Sequence, residues 1–205
     1  YNVSDSQGNE ALPVTRTINV IDNVKPIITF NPTGNTTYAK SRSTTVKVRD
    51  ANSGVKSSSL KYLWNASLAE PSKDSFKTSF TNGGTINSPG SVTGSYYLWV
   101  YAEDNSGNYR ISKSNVFNLD NTPPLPPTIT SSPITLTNGN VTVSVTYPTD
   151  AAIKKVSMDN GSTWSDYTKP VTVTSNRTVL AYATDSSGNQ SSNAKYAVSN
   201  IDKTN

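Results

Sequence analysis

Aspartate is the residue type whose spacing in this chain could serve chemistry, because it recurs at corresponding places of an internal repeat. The aspartates in question form two sets of three, namely Asp22, Asp50 and Asp104, then Asp120, Asp150 and Asp185. In each set, one residue lies in a linker, one follows the second predicted strand of the next domain, and one precedes its last strand. In a β-sandwich these two loops and the incoming linker lie at the same end. We therefore expect each set to gather at a domain junction.

Clusters of carboxylate oxygens are suited to Ca²⁺, which takes 6–8 oxygen ligands in proteins. The first hypothesis is a structural Ca²⁺ at each junction, with no other cofactor. The alternative is that each Asp accepts hydrogen bonds from the backbone amides of its own turn and binds no metal. The sequence leaves both open.

Aromatic residues form a second candidate site. Tyr97, Trp99 and Tyr101 alternate with Leu98 and Val100 along one predicted strand. Because successive side chains of a strand point to opposite faces, the three rings share one face when Leu98 faces the core. Such a row could bind a sugar or a protein partner. It could equally pack across strands on the outer face of the sheet.

Several kinds of chemistry are excluded by composition. The chain has no Cys and no His, so it holds no disulfide, thiolate metal site or Ser-His-Asp arrangement. Paired carboxylates could serve an enzyme, but the acidic residues fall in turns and linkers, and we expect no catalytic site. The 18 basic residues are scattered rather than clustered, which makes nucleic acid an unsuitable partner. No membrane-spanning segment is found in the sequence.

An internal repeat sets the domain organisation. A strand followed by an Asp-x-x-Gly-Asn turn occurs three times, as YNVSDSQGN (1–9), VYAEDNSGN (100–108) and AYATDSSGN (181–189). Each turn is followed by a second shared pattern, VIDNVKP (20–26), NLDNTPP (118–124) and NIDKTN (200–205). The turn aspartates are 99 and 81 residues apart, which is the size of a domain and not of a solenoid repeat.

This spacing predicts a partial domain and two whole ones. We expect 1–24 to be the C-terminal hairpin of a truncated repeat, and 25–122 and 123–205 to be complete domains. The hairpin should run from Tyr1 to Val20 and pack on the edge of a sheet or on the domain that follows, in its own chain or a neighbour's.

Alternating apolar residues predict the fold class. Val46 and Val48 alternate with polar residues in the first whole domain, and Val141, Val143 and Val145 do so in the second. No segment has a clear helical period. Short alternating strands without crossover helices favour antiparallel sheets. The sequence therefore predicts an all-β chain of tandem antiparallel β-sandwiches of the immunoglobulin-like kind.

The segments TTVKVRDANSGV, GSYYLWVYAEDNSGN and RTVLAYATDSSGN resemble bacterial immunoglobulin-like (Big-type) repeats of Gram-positive surface or secreted proteins. The D-x-S-G-N turn and the D-N/K-x-x-P linker carry most of this resemblance, which spans nearly the whole chain. It implies an extracellular location, at the bacterial cell surface or secreted.

Two functions are compatible with these features. The first is a non-catalytic spacer or stalk that displays other domains, with neighbouring repeats as partners. The second is an adhesin or carbohydrate-binding module that holds a host protein or glycan on the Tyr97–Trp99–Tyr101 face.

Overall fold

The computed structural model describes residues 3–204 and contains only β-strands and two short 3₁₀ turns, Ser57–Ser59 and Lys73–Ser75. Nine strands form the first sandwich: β1 (Ile27–Asn31), β2 (Asn35–Ala39), β3 (Ser43–Arg49), β4 (Lys61–Asn65), β5 (Thr78–Ser79), β6 (Thr85–Asn87), β7 (Gly94–Glu103), β8 (Tyr109–Lys113) and β9 (Phe117–Leu119). Seven strands form the second sandwich: β10 (Thr128–Ser132), β11 (Val141–Thr146), β12 (Ile153–Ser157), β13 (Ser165–Asp166), β14 (Val171–Val173), β15 (Arg177–Thr184) and β16 (Ala194–Val198). The predicted fold class, tandem immunoglobulin-like β-sandwiches, is confirmed.

The first sandwich packs a three-stranded sheet, in the order β1-β3-β6, on a six-stranded sheet. The larger sheet has the order β2-β9-β7-β4-β5, with β8 also paired to β7. Val46 and Val48 of β3 meet Leu98 and Val100 of β7 in a single buried cluster between the sheets. One strand pair departs from the antiparallel pattern, since β2 runs parallel to β9. The chain crosses from one sheet to the other between β1 and β2, which brings β2 beside the last strand.

The second sandwich repeats this plan with sheets β10-β11-β14 and β13-β12-β15-β16. Its core contains Val141 and Val143 of β11 against Val179 and Ala181 of β15, all fully buried. Period-2 alternation of β-branched residues produces these strands, because one face of each strand is buried and the other is hydrated.

The predicted N-terminal hairpin is largely absent. Tyr1 lies outside the described residues, and from Val3 onward the chain forms one bridge, Ser4 with Glu10. Residues 11–26 contain no strand, and Leu12 and Val14 are 90% and 94% exposed. The expectation that the hairpin packs on the following domain of its own chain is therefore wrong for residues 3–20. Two strands alone bury too little apolar surface to be stable, and Pro13 removes one amide donor.

No helix among residues 3–204 is long and apolar enough to cross a membrane.

Candidate metal centre at the first linker

The first linker is attached to the first sandwich through Asp22. The side-chain amide of Asn108 donates to the carbonyl oxygen of Asp22 at 3.0 Å. The carboxylate of Asp22 accepts from the backbone amide of Val24 at 2.9 Å through Oδ1 and from that of Ser53 at 3.1 Å through Oδ2. Hydrogen bonds from Ser53 first and Val24 second lower the pKa of Asp22 to about 2, so this carboxylate is ionised at neutral pH.

Asp50 lies in the loop after β3 and supports the turn that leads to Val55. Its Oδ1 accepts from the backbone amides of Ser53 at 3.0 Å and Gly54 at 2.9 Å. Gly54 has φ +79°, a left-handed conformation that a residue with a side chain rarely adopts. The other oxygen, Oδ2, is shielded from solvent and has no hydrogen-bond partner. Turn capping therefore accounts for one oxygen of Asp50 and leaves the other unsatisfied.

Asp104 begins the turn after β7 and is fully buried. Its Oδ1 accepts from the backbone amides of Ser106 at 2.9 Å and Asn108 at 2.8 Å. Its Oδ2 accepts from the side-chain amide of Asn108 at 2.7 Å. Asn108 thus bonds both the turn and the linker. Sequence reasoning missed this role, although an Asn ends all three Asp-x-x-Gly-Asn turns.

The three carboxylates converge. Asp22, Asp50 and Asp104 each contribute an oxygen to a group whose members all lie within 4.8 Å of one another. None of the ion pairs found in residues 3–204 involves these three residues. Ca²⁺ binds oxygen at 2.3–2.6 Å, so oxygens on opposite sides of one ion stand about 5 Å apart. The spacing and the unsatisfied Asp50 Oδ2 are compatible with an ion of that size.

The second junction differs from what the sequence predicts. Asp120 and Asp185 lie close, because Asn189 donates to the Asp120 carbonyl at 3.0 Å and to Asp185 Oδ2 at 2.9 Å. Asp150, however, is in an exposed turn, and no second group of three carboxylates converges within residues 3–204. The predicted convergence of Asp120, Asp150 and Asp185 is wrong. The loop of Asp150 contains Pro148 and lacks a Ser-Gly pair like Ser53 and Gly54, whose backbone amides donate to Asp50.

The predicted aromatic row, Tyr97, Trp99 and Tyr101, is not exposed to solvent. Trp99 and Tyr101 are each only 4% exposed, and Tyr97 is half-buried. The segment 66–80 covers them: Phe76 packs on Tyr101 with ring centroids 5.9 Å apart, and the Trp99 indole donates to the Ser67 carbonyl at 3.3 Å. The prediction that Tyr97, Trp99 and Tyr101 form an exposed binding face is therefore wrong.

No protein-family model matches the chain, and no curated protein matches it. Similar solved structures include the fibronectin(III)-like modules of Clostridium thermocellum CbhA, 13% identical over 86% of this chain and 95% of theirs, with a TM-score of 0.37. The chicken CNTN1 FN1–FN3 domains are 13% identical over 98% and 76%, with a TM-score of 0.37. A C-terminal fragment of intimin, in complex with the intimin-binding domain of its translocated receptor, is 14% identical over 89% and 64%, with a TM-score of 0.39.

Proposed function

We propose that this chain is a non-catalytic spacer of an extracellular multidomain protein, of the bacterial surface or secreted kind that its repeat motifs resemble. The observation that carries the proposal is the same linker contact at both junctions. Asn108 holds the Asp22 carbonyl and Asn189 holds the Asp120 carbonyl, each at 3.0 Å. A spacer needs linkers that transmit the orientation of one domain to the next, and these bonds make each linker part of the sandwich that follows. On this basis 25–122 and 123–205 are its structural units.

Contacts across the second junction support a defined angle between the sandwiches. Ser187 of the second sandwich donates to Asp120 Oδ2 at 3.1 Å, and Lys40 of the first sandwich donates to the Gly188 carbonyl at 3.3 Å. Both contacts fall on the turn that carries Asn189. One turn therefore meets the linker and the preceding domain together.

We further propose that Asp22, Asp50 and Asp104 bind Ca²⁺. Asp22 belongs to the linker, whereas Asp50 and Asp104 belong to two loops of the sandwich. An ion bound by all three would add a cross-link at the point where Asn108 already holds the linker. The unsatisfied Oδ2 of Asp50 supports this, because a buried carboxylate oxygen without a partner is costly and a cation supplies the missing interaction.

Residual dipolar couplings test the spacer role separately from the metal. If the second junction is rigid, the two sandwiches of the wild-type chain share one alignment tensor. In the Asn189→Ala variant, whose Asp120 carbonyl loses its donor, the two tensors should diverge. Independent tensors in the wild-type chain would rule out the spacer proposal whatever the result for Ca²⁺.

A further inference from the structure

The surface of the first sandwich has cavities around Asn87, one lined by residues of β2, β3 and β9 and two where β4 and β5 of the larger sheet face β6 of the smaller one. Three cavities of about 330, 440 and 300 Å³ open there. Asn87, the last residue of β6, lines all three. The three cavities therefore adjoin one another at this exposed residue, and we call them together the Asn87 groove.

The lining of the Asn87 groove combines aromatic rings with small polar groups. Tyr62 and Trp64 of β4 are half-buried and line its middle cavity, together with Thr78 and Ser88. The Trp64 indole donates to the Asn87 carbonyl at 2.9 Å, which fixes the ring at the groove wall. Aromatic carbon beside hydroxyl and amide groups is the surface that a sugar ring requires, since a pyranose has one apolar face and an equatorial belt of hydroxyls.

The charges of the groove all have one sign. Among residues 3–204, the charged side chains that line the three cavities are Arg42 and Lys77, which are both basic. They lie in two different cavities, and Asn87 lines both of these cavities. A ligand that spans the groove would therefore meet two positive charges and no carboxylate of the protein.

Arg42 has a donor without an acceptor. Its Nη2 donates to the Thr37 carbonyl, but its Nε is shielded from solvent and has no hydrogen-bond partner. Because this Nε is closed to solvent, a ligand reaches Arg42 only through the part of the residue that lines its cavity. A carboxylate is the acceptor that best matches a guanidinium there, because both groups are planar and ionised.

We propose that the Asn87 groove binds an acidic oligosaccharide, with sugar rings against Tyr62 and Trp64 and carboxylates at Arg42 and Lys77. An extended peptide is a weaker candidate, because the free edge at β6 has only three residues (Thr85–Asn87) and offers few backbone hydrogen bonds. A neutral oligosaccharide would leave both cations unpaired. This binding is independent of the spacer role, since none of these residues touches a linker aspartate.

Tetragalacturonic acid is the probe, and cellotetraose is its neutral control. Heteronuclear NMR of the full chain resolves the indole N–H signals of Trp64, Trp99 and Trp164, which Trp→Phe variants assign. We expect tetragalacturonic acid to shift the Trp64 signal and leave the other two in place, with an affinity that falls as NaCl is added. Equal binding of cellotetraose, equal binding of hexaglutamate, or no shift of Trp64 would each overturn the proposal.

Charge-removing variants locate the ligand. Arg42→Gln should weaken binding about tenfold, as expected for the loss of a charge-assisted hydrogen bond. Lys77→Gln, at an exposed side chain that leaves folding undisturbed, should weaken it severalfold, and Lys47→Gln, an exposed lysine of β3 outside the groove, should not. Unchanged affinity in Lys77→Gln, or an equal loss in Lys47→Gln, would contradict the proposal even if Arg42→Gln failed to fold.

Discussion

The side-chain amide of Asn108 donates to the carbonyl oxygen of Asp22 at 3.0 Å, across 86 residues of sequence. The same amide group also donates to Asp104 Oδ2, so one side chain closes a turn and holds a linker. Asn189 repeats both bonds at the second junction, with Asp120 and Asp185.

Replacing Asn108 with Ala should free the first linker. The loss of its two hydrogen bonds removes about 1 kcal/mol each, and the amide of Val24, which donates to Asp22, should exchange with solvent faster. Asn9→Ala is the matched control, because Asn9 closes an equivalent turn on Asp5 that bonds no linker within residues 3–204. Equal exchange rates at Val24 in the wild type and in Asn108→Ala would show that the bond does not hold the linker.

Phe76→Ala should uncover the aromatic row. Phe76 is 2% exposed and lies on Tyr101, so truncation should lower the free energy of unfolding by about 3–5 kcal/mol. Trp99 should become accessible to a fluorescence quencher. Leu68→Ala, in the same segment but at a side chain 62% exposed, should change neither property. Trp99 quenching that is identical in both variants would contradict the covering role of segment 66–80.

The turn at Asp159 should make the second sandwich sensitive to acid. Hydrogen bonds from Thr163 and then Ser157 lower the pKa of Asp159 to about 2. A carboxyl whose pKa is lower in the folded state stabilises the fold above its unfolded pKa, and that contribution is lost as pH falls from about 4 toward 2. In Asp159→Asn the melting temperature should be lower at neutral pH and should fall less over this range. A parallel decline in both proteins would exclude Asp159 as a source of the acid sensitivity.

Deleting residues 1–20 should leave both sandwiches folded. The large apolar side chains of residues 3–20 are exposed, as Leu12 and Val14 illustrate, so their removal costs no packing. The thermal melting curve should be unchanged, and self-association measured by sedimentation should decrease because the exposed apolar side chains are gone. Loss of structure in residues 25–204 would mean that the segment belongs to the first sandwich.

The sequence predicts the sandwiches well because alternating residues such as Val141 and Val143 report directly which face of a strand is buried. It places Asp22, Asp50 and Asp104 at one end, because the order of strands alone determines which loops meet there. The sequence does not predict the position or exposure of a side chain where these depend on the path of an individual loop. Asp150 has the expected position in the chain, but its loop turns outward. Trp99 is covered by segment 66–80, whose large apolar residues, Leu68, Phe76 and Phe80, follow no strand or helix periodicity that could reveal the covering role of Phe76.

Calcium titration by calorimetry, on the wild-type chain and on Asp50→Asn, tests the metal centre most directly. Asp150→Asn is the matched control, because it removes the same charge from an exposed turn. We expect binding of a single ion to the wild type and to Asp150→Asn, with a Kd on the order of 0.1–1 mM, and none to Asp50→Asn. At about tenfold excess of free Ca²⁺ over Kd, the wild type should gain about 1.4 kcal/mol of stability against unfolding. No heat of binding in the wild type, or the same heat in all three proteins, would contradict a calcium ion held by Asp22, Asp50 and Asp104.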